Sequence, residues 1–125
     1  MNTLTWIAQI ILAIMFTMTG YFKLFIPKEK LEAKMGWVYN YSSTTVKFIG
    51  ACELLGAIGL ILPMALNILP VLTPIAATGL SIIMIIATRT HLLRNEYNIM
   101  VITVLLFLLA VFVGIERYKQ LIMNN

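Results

Sequence analysis

Aspartate is absent from this sequence, and cysteine and histidine occur once each in 125 residues. Each shortage removes a class of chemistry. Without aspartate there is no Ser–His–Asp set. One cysteine forms neither a disulfide framework nor a redox pair. One histidine with one cysteine is too few for a zinc site, and haem is not expected, since His91 has no histidine partner inside the membrane. No glycine spacing matches a phosphate-binding loop in its strand-to-helix setting. Charge is scarce as well: 11% of residues are charged, against about 25% in soluble domains.

What fills the chain is apolar. Hydrophobic residues make up 61% of it, and the mean hydropathy is +0.95. A water-soluble core of this size cannot absorb that excess, because small domains leave much of their surface exposed. A cytosolic enzyme, a disordered tail and a disulfide scaffold are set aside. Four spans of about 20 residues account for about 80 residues, which predicts an all-α polytopic membrane protein, a four-transmembrane-helix bundle forming one domain over residues 1–125.

Charge-free runs locate the spans. Helices are predicted at about 4–25, 44–62, 69–88 and 97–116. The first has Trp6 near one end and Tyr21 near the other, as interfacial aromatics do. Its rival, a signal peptide, needs a basic n-region and a small-residue cleavage site. No Lys or Arg precedes Lys23, and Thr19-Gly20-Tyr21 is a poor site. Pro27 stops the helix. Over 27–43, Lys28, Glu29, Lys30, Glu32 and Lys34 alternate in sign while Leu31 and Met35 share a face. That pattern suits a short interfacial amphipathic helix, followed by Trp37, Tyr39 and Tyr41 at headgroup depth; a solvated loop with aromatic anchors fits equally. Pro63, Asn67 and Pro70 mark a tight turn, with Pro74 positioned to kink the third helix. Arg89 to Glu96 reads as a polar loop.

The net charge is +4. The cations sit at the ends of apolar segments, so they report topology and lipid headgroups, not nucleic acid. The first and third loops carry Lys23, Lys28, Lys30, Lys34, Lys47, Arg89 and Arg94; the other side carries Arg117 and Lys119. The positive-inside rule then places both termini outside and these loops in the cytoplasm of a cell (inner) membrane.

Small residues mark helix interfaces in lipid. Gly56 and Gly59 share a face of the second helix with Cys52 and Pro63, and Gly50 adds a notch. Gly20 and Gly79 do the same for the first and third helices. The fourth, mainly Leu, Val and Phe, reads as the most lipid-exposed.

Glu53 is the one charge inside an apolar run. An ionised carboxylate at mid-bilayer costs roughly 2.5–3.5 kcal/mol on insertion scales. Six residues beyond Lys47, it lies about 9 Å deeper along a helix. Lys23, His91, Arg94, Tyr97 and Asn98 end on the same side and form with it a candidate polar pocket. Two readings stay open. Glu53 pairs with Lys23 or an Arg and fixes the bundle's register, or Glu53 and His91 line a small-molecule or proton-handling site. His91 is the side chain that titrates near neutrality when unperturbed.

Gly20-Tyr21-Phe22-Lys23-Leu24 resembles the signature closing the first helix of DoxX-like proteins. The segment from Gly50 to Leu60, with Pro63 after it, is similar to their glutamate- and glycine-rich second helix. Thr73-Pro74-Ile75-Ala76-Ala77, then Gly79-Leu80, Met84, Ala87, His91, Arg94 and Glu96, resembles their third helix and its basic end. The resemblance implies a small four-helix integral membrane protein with no transferable catalytic set. The family's name comes from a thiosulfate:quinone oxidoreductase subunit, and other members are associated with membrane complexes or receptor assembly. The matching polar positions are Lys23, Glu53, His91 and Arg94. The leading expectation is an accessory or assembly partner of a membrane complex, without a cofactor or metal of its own, acting with a membrane-protein partner or as a homo-oligomer. The alternatives are an oxidoreductase subunit binding quinone or a small sulfur compound near Glu53, and a small-molecule carrier.

Overall fold

The computed structural model describes residues 2–123, with the side chains of residues 34, 39 and 40 set apart. Lys34 in the amphipathic stretch and Tyr39 among the aromatic anchors therefore lie outside the described side chains. The described elements are helical: α1 (Asn2–Phe25), α2 (Lys28–Lys34), a 3-10 turn (Gly36–Asn40), α3 (Ser43–Leu66), α4 (Leu72–Leu93) and α5 (Tyr97–Met123). Helices α1, α3, α4 and α5, of 22 to 27 residues, are long and apolar enough to cross a membrane. They pack in the cyclic order α1–α3–α4–α5, with α1·α3 and α4·α5 the most extensive pairs. Arg117 near the end of α5 bonds Asn2 at the start of α1, so the start of α1 and the last turns of α5 lie at the same end of the bundle.

The core follows helical spacing. Ala8, Leu12 and Phe16 of α1 meet Ala57 and Leu60 of α3, Ala77, Leu80 and Met84 of α4, and Ala110 and Val113 of α5. Steps of three and four keep each set on one stripe. The outer surface is apolar too: Phe48, Leu55, Ile75 and Leu105 are exposed. Such a surface is stable against acyl chains, not water. Of the four spans, α5 is the least buried.

Glycines set the closest approaches. A Cβ on Gly20 would lie 2.8 Å from the Gly50 carbonyl oxygen, and one on Gly50 would lie 2.8 Å from Lys23 Cβ. The backbones of α1 and α3 touch at this crossing. Gly56 faces Leu80, and Gly59 faces Ala76 at 2.8 Å, so both serve the α3·α4 contact. Gly79 differs from the expectation. Its Cβ position has no neighbour within 4 Å, because the α4 stripe runs through Ala77, Leu80 and Met84 and turns Gly79 outward.

The helix ends also correct the sequence reading. Pro63 lies inside α3, which runs on to Leu66. Proline there removes the hydrogen bond to the carbonyl four residues earlier. That carbonyl, of Gly59, accepts instead from the Thr73 hydroxyl of α4 at 2.9 Å. The helix ends at Asn67, in the left-handed conformation (φ 54°), with the Ile68 N–H returning to Pro63 O. Asparagine tolerates that conformation better than most residues. Helix α4 starts at Leu72 instead of about 69. Pro74 thus sits in the first turn, where an N–H would have no helical partner, and nothing requires a kink. Arg89 and His91, expected in a loop, belong to the last turns of α4. Helix α5 continues past 116 to Met123.

Candidate functional site

At the end of the bundle away from the chain termini, four helix ends surround a chamber of about 370 Å³. Local geometry brings its polar groups together. Gly20 and Lys23 are one turn apart on α1, as are Gly50 and Glu53 on α3. The Gly20–Gly50 crossing therefore presses Lys23 against Glu53. Lys23 Nζ donates to Glu53 Oε1 at 2.5 Å, and Thr19 donates to Oε2 at 3.2 Å. Both charged side chains are buried; Glu53 is 1% exposed. Pairing with additional hydrogen bonds is what such burial requires.

The second polar pair comes from the C-terminus of α4. Asn95 adopts the left-handed conformation (φ 60°). The Asn95 N–H returns to Leu92 O and the Glu96 N–H to His91 O, a Schellman ending. This reversal folds Glu96 back over the last turn. Glu96 Oε1 accepts from His91 Nδ1 at 2.9 Å and from Arg94 Nε at 3.1 Å. The hydrogen bond from His91, then that from Arg94 and its charge, hold the Glu96 carboxyl below its usual range. An ionised carboxylate only accepts, so Nδ1 carries the proton in this pair.

The first loop closes the chamber. Leu31, Val38 and Val46 form a small core beneath it, which anchors α2 and the 3-10 turn. The Trp37 ring lies 5.2 Å from Lys23 Nζ and stacks edge-on with Tyr41. The Tyr41 hydroxyl reaches Thr90 at 3.4 Å. Gly36 gives the Arg94 guanidinium room, since a Cβ there would meet Nη2 at 2.7 Å. Below this cap the walls are apolar: Met15, Phe16, Ile83, Met84, Ile102 and Leu106. A larger groove between α4 and α5 is open and mostly apolar; it lacks a buried ion pair.

Of the residues singled out from sequence, Lys23, Glu53 and His91 line the chamber. Arg94 braces Glu96 at its rim. Tyr97 and Asn98 are exposed, and Tyr97 bonds Asn95 outside the chamber. Thr19, Trp37, Tyr41, Thr90 and Glu96 line it as well and were not among the candidates. Glu96 was legible as part of the polar loop and of the third-helix resemblance, not as a chamber residue.

Sequence reasoning also missed a buried cation at the opposite end. Arg117, read as a terminal topology signal, is 1% exposed. It donates to Gln9, Asn2 and Gln120, each at 2.6 Å, and stacks 5.1 Å over Trp6. Its Nη2 has no partner among the described residues. Gln9 in turn donates to the Leu60 carbonyl. The signal was available: Gln9 continues the Thr5–Leu12–Phe16 stripe, and Arg117 lies one turn beyond Val113. Among the described residues no group of His, Cys and Glu side chains is arranged to hold a metal.

No curated protein and no solved structure matches this chain. The profile of the DoxX-like family matches residues 7–113, which takes in Lys23, Glu53, His91, Arg94 and most of each span. The chain belongs to the DoxX-like family, as a small multi-pass integral membrane protein.

Proposed function

We propose that the protein binds a small amphiphilic molecule in the chamber and acts as an accessory, binding component of a larger membrane complex whose chemistry resides in a partner. The chamber carries this reading. It is bounded by apolar side chains along the membrane and ends in Lys23–Glu53 and His91–Glu96 under an aromatic cap. A few placed polar groups at one end of an apolar cavity are typical of small-molecule sites. The accessory role draws on the residue inventory: one cysteine and one histidine make a poor redox centre.

A second reading uses the same chamber as the quinone site of an oxidoreductase subunit. The donors at its polar end, Lys23 and the Tyr41 hydroxyl, above Phe16 and Met84, favour it. Purification in mild detergent with mass spectrometry of bound small molecules separates the two. A stoichiometric non-redox amphiphile supports the first, and stoichiometric quinone the second. A protein that retains neither, and takes up neither when supplied, contradicts both.

We further place the chamber end in the cytoplasm and the termini outside, from the seven cations against two. In a Cys52→Ala background, an impermeant thiol reagent added to intact cells is expected to label Tyr118→Cys and to spare Glu29→Cys. The reverse pattern overturns the orientation.

A further inference from the structure

The hydrogen bonds that hold the chamber together also fix what its free valences are. Both Glu53 oxygens already accept, from Lys23 and from Thr19. Glu96 Oε1 accepts twice, from His91 and Arg94. Glu96 Oε2 and the second lone pairs of the Glu53 oxygens remain as acceptors, and the donors left for a head group come from Lys23 and Tyr41. Lys23 has three N–H groups, one of them committed to Glu53. The Thr90 hydroxyl donates to the Ile86 carbonyl at 3.0 Å, and the Tyr41 hydroxyl has only a long contact of 3.4 Å to Thr90, which leaves Tyr41 the more available of the two as a donor. His91 has Nδ1 committed to Glu96, which leaves Nε2 as its one free position. Charge is balanced as well: Lys23 offsets Glu53, and Arg94 offsets Glu96. An anion bound here adds one uncompensated negative charge unless a proton comes with it. His91 is the group able to take that proton, because its Nε2 is unbonded and the side chain lines the chamber. Its partner Glu96 is set to stabilise the resulting imidazolium.

We infer that the chamber binds a monocarboxylic acid amphiphile, with the carboxylate between Lys23 and His91, and that His91 takes up one proton as the anion binds. The inference rests on the small-molecule reading above and names its ligand class. The proton balance is simple. The anion, neutral His91 and one proton from water give the bound carboxylate beside His91 protonated at Nε2. An acid entering from the bilayer in its neutral form brings the same proton with it. The titratable groups that line the chamber with His91 are Lys23 from α1, Glu53 from α3, Glu96 from the α4–α5 turn and Tyr41 from the first loop, and Arg94 reaches it through Glu96. From α5 the chamber receives Ile99, Ile102, Thr103 and Leu106, none of which titrates.

The chain contains two tryptophans, one in the chamber and one against Arg117. A Trp6→Phe variant in detergent leaves Trp37 as the reporter. Decanoate and decanol are titrated at pH 8, and calorimetry in two buffers of different ionisation enthalpy counts the protons. Decanoate is expected to shift Trp37 emission, to take up one proton per molecule bound, and to bind at least tenfold more tightly than decanol. Its affinity should rise about tenfold per pH unit lowered across the range where one proton is taken up. His91→Gln is expected to abolish proton uptake and to weaken decanoate at least tenfold more than it weakens decanol. Decanoate binding without proton uptake, or uptake that persists in His91→Gln, overturns the inference. Decanol binding as tightly as decanoate overturns it too, while leaving the amphiphile site standing. If neither binds, both readings fall. Should His91→Gln fail to fold, proton uptake and the decanoate–decanol ratio in the Trp6→Phe protein decide alone.

Discussion

At the residue scale, the ion pair and the His91–Glu96 pair behave differently. Lys23 and Glu53 are buried against each other, so removing one partner strands a charge. Glu53→Leu is expected to cost about 3–5 kcal/mol, whereas Lys23→Met with Glu53→Leu together should be neutral or stabilising. Thermal unfolding of the three variants in one detergent checks this; a double variant as unstable as the sum of the singles would show that the pair is not a unit. Glu96 lies in the turn, and its carboxyl is held below its usual range by His91 and then Arg94. A depressed carboxylate stabilises the fold above its unfolded pKa and loses that contribution as pH falls through its folded value. Wild type is thus expected to lose stability relative to Glu96→Gln on going from pH 6 into the acid range below the usual carboxylate pKa. Parallel acid profiles would remove Glu96 from the account. The Lys23–Glu53 pairing was legible because depth along a helix and side of the membrane follow from counting residues. Glu96 was not, because its position depends on a left-handed Asn95, which no charge pattern announces.

Helices carry the next set of consequences. The α1·α3 crossing rests on two glycines whose added methyl groups would meet backbone or the Lys23 stem. Gly50→Ala is expected to destabilise by about 1–3 kcal/mol as overpacking, and to loosen the seat of Lys23. Gly79→Ala meets nothing and should gain up to ~1 kcal/mol from helix propensity. A melting series over the two variants tests the assignment, and equal effects would contradict it. Composition showed that small residues matter, but which glycine faces a neighbour depends on helix rotation, and one apolar surface looks like another when lipid replaces water. The same limit hid Pro63. A proline reads as a stop, yet Thr73 of the neighbouring helix replaces the lost hydrogen bond, so α3 runs through it. Arg117 shows the complementary limit. A cation near a span end has the same sequence appearance whether it faces headgroups or, as here, the interior.

For the whole molecule, the number of spans and their alternation were readable from charge-free runs alone, because a bilayer demands about 20 apolar residues per crossing. The chamber was readable only as an expectation that polar groups gather on one side. Its roof depends on the small core of Leu31, Val38 and Val46 and on the room at Gly36. The result is a bundle with unlike ends: one locked around Arg117, the other hollow and lined by the Lys23–Glu53 ion pair and the hydrogen-bonded His91–Glu96 pair. The central claim is that the hollow end holds a small molecule. Ala87 lines the chamber, so Ala87→Phe fills it without touching Lys23, Glu53 or His91 as residues. Mass spectrometry of small molecules retained by wild type and Ala87→Phe, purified identically and matched for melting temperature, tests the claim most directly. At least a tenfold loss of the retained molecule in Ala87→Phe is the predicted result. Equal retention in the two proteins, or none in either after supply of the candidate amphiphiles, would contradict it.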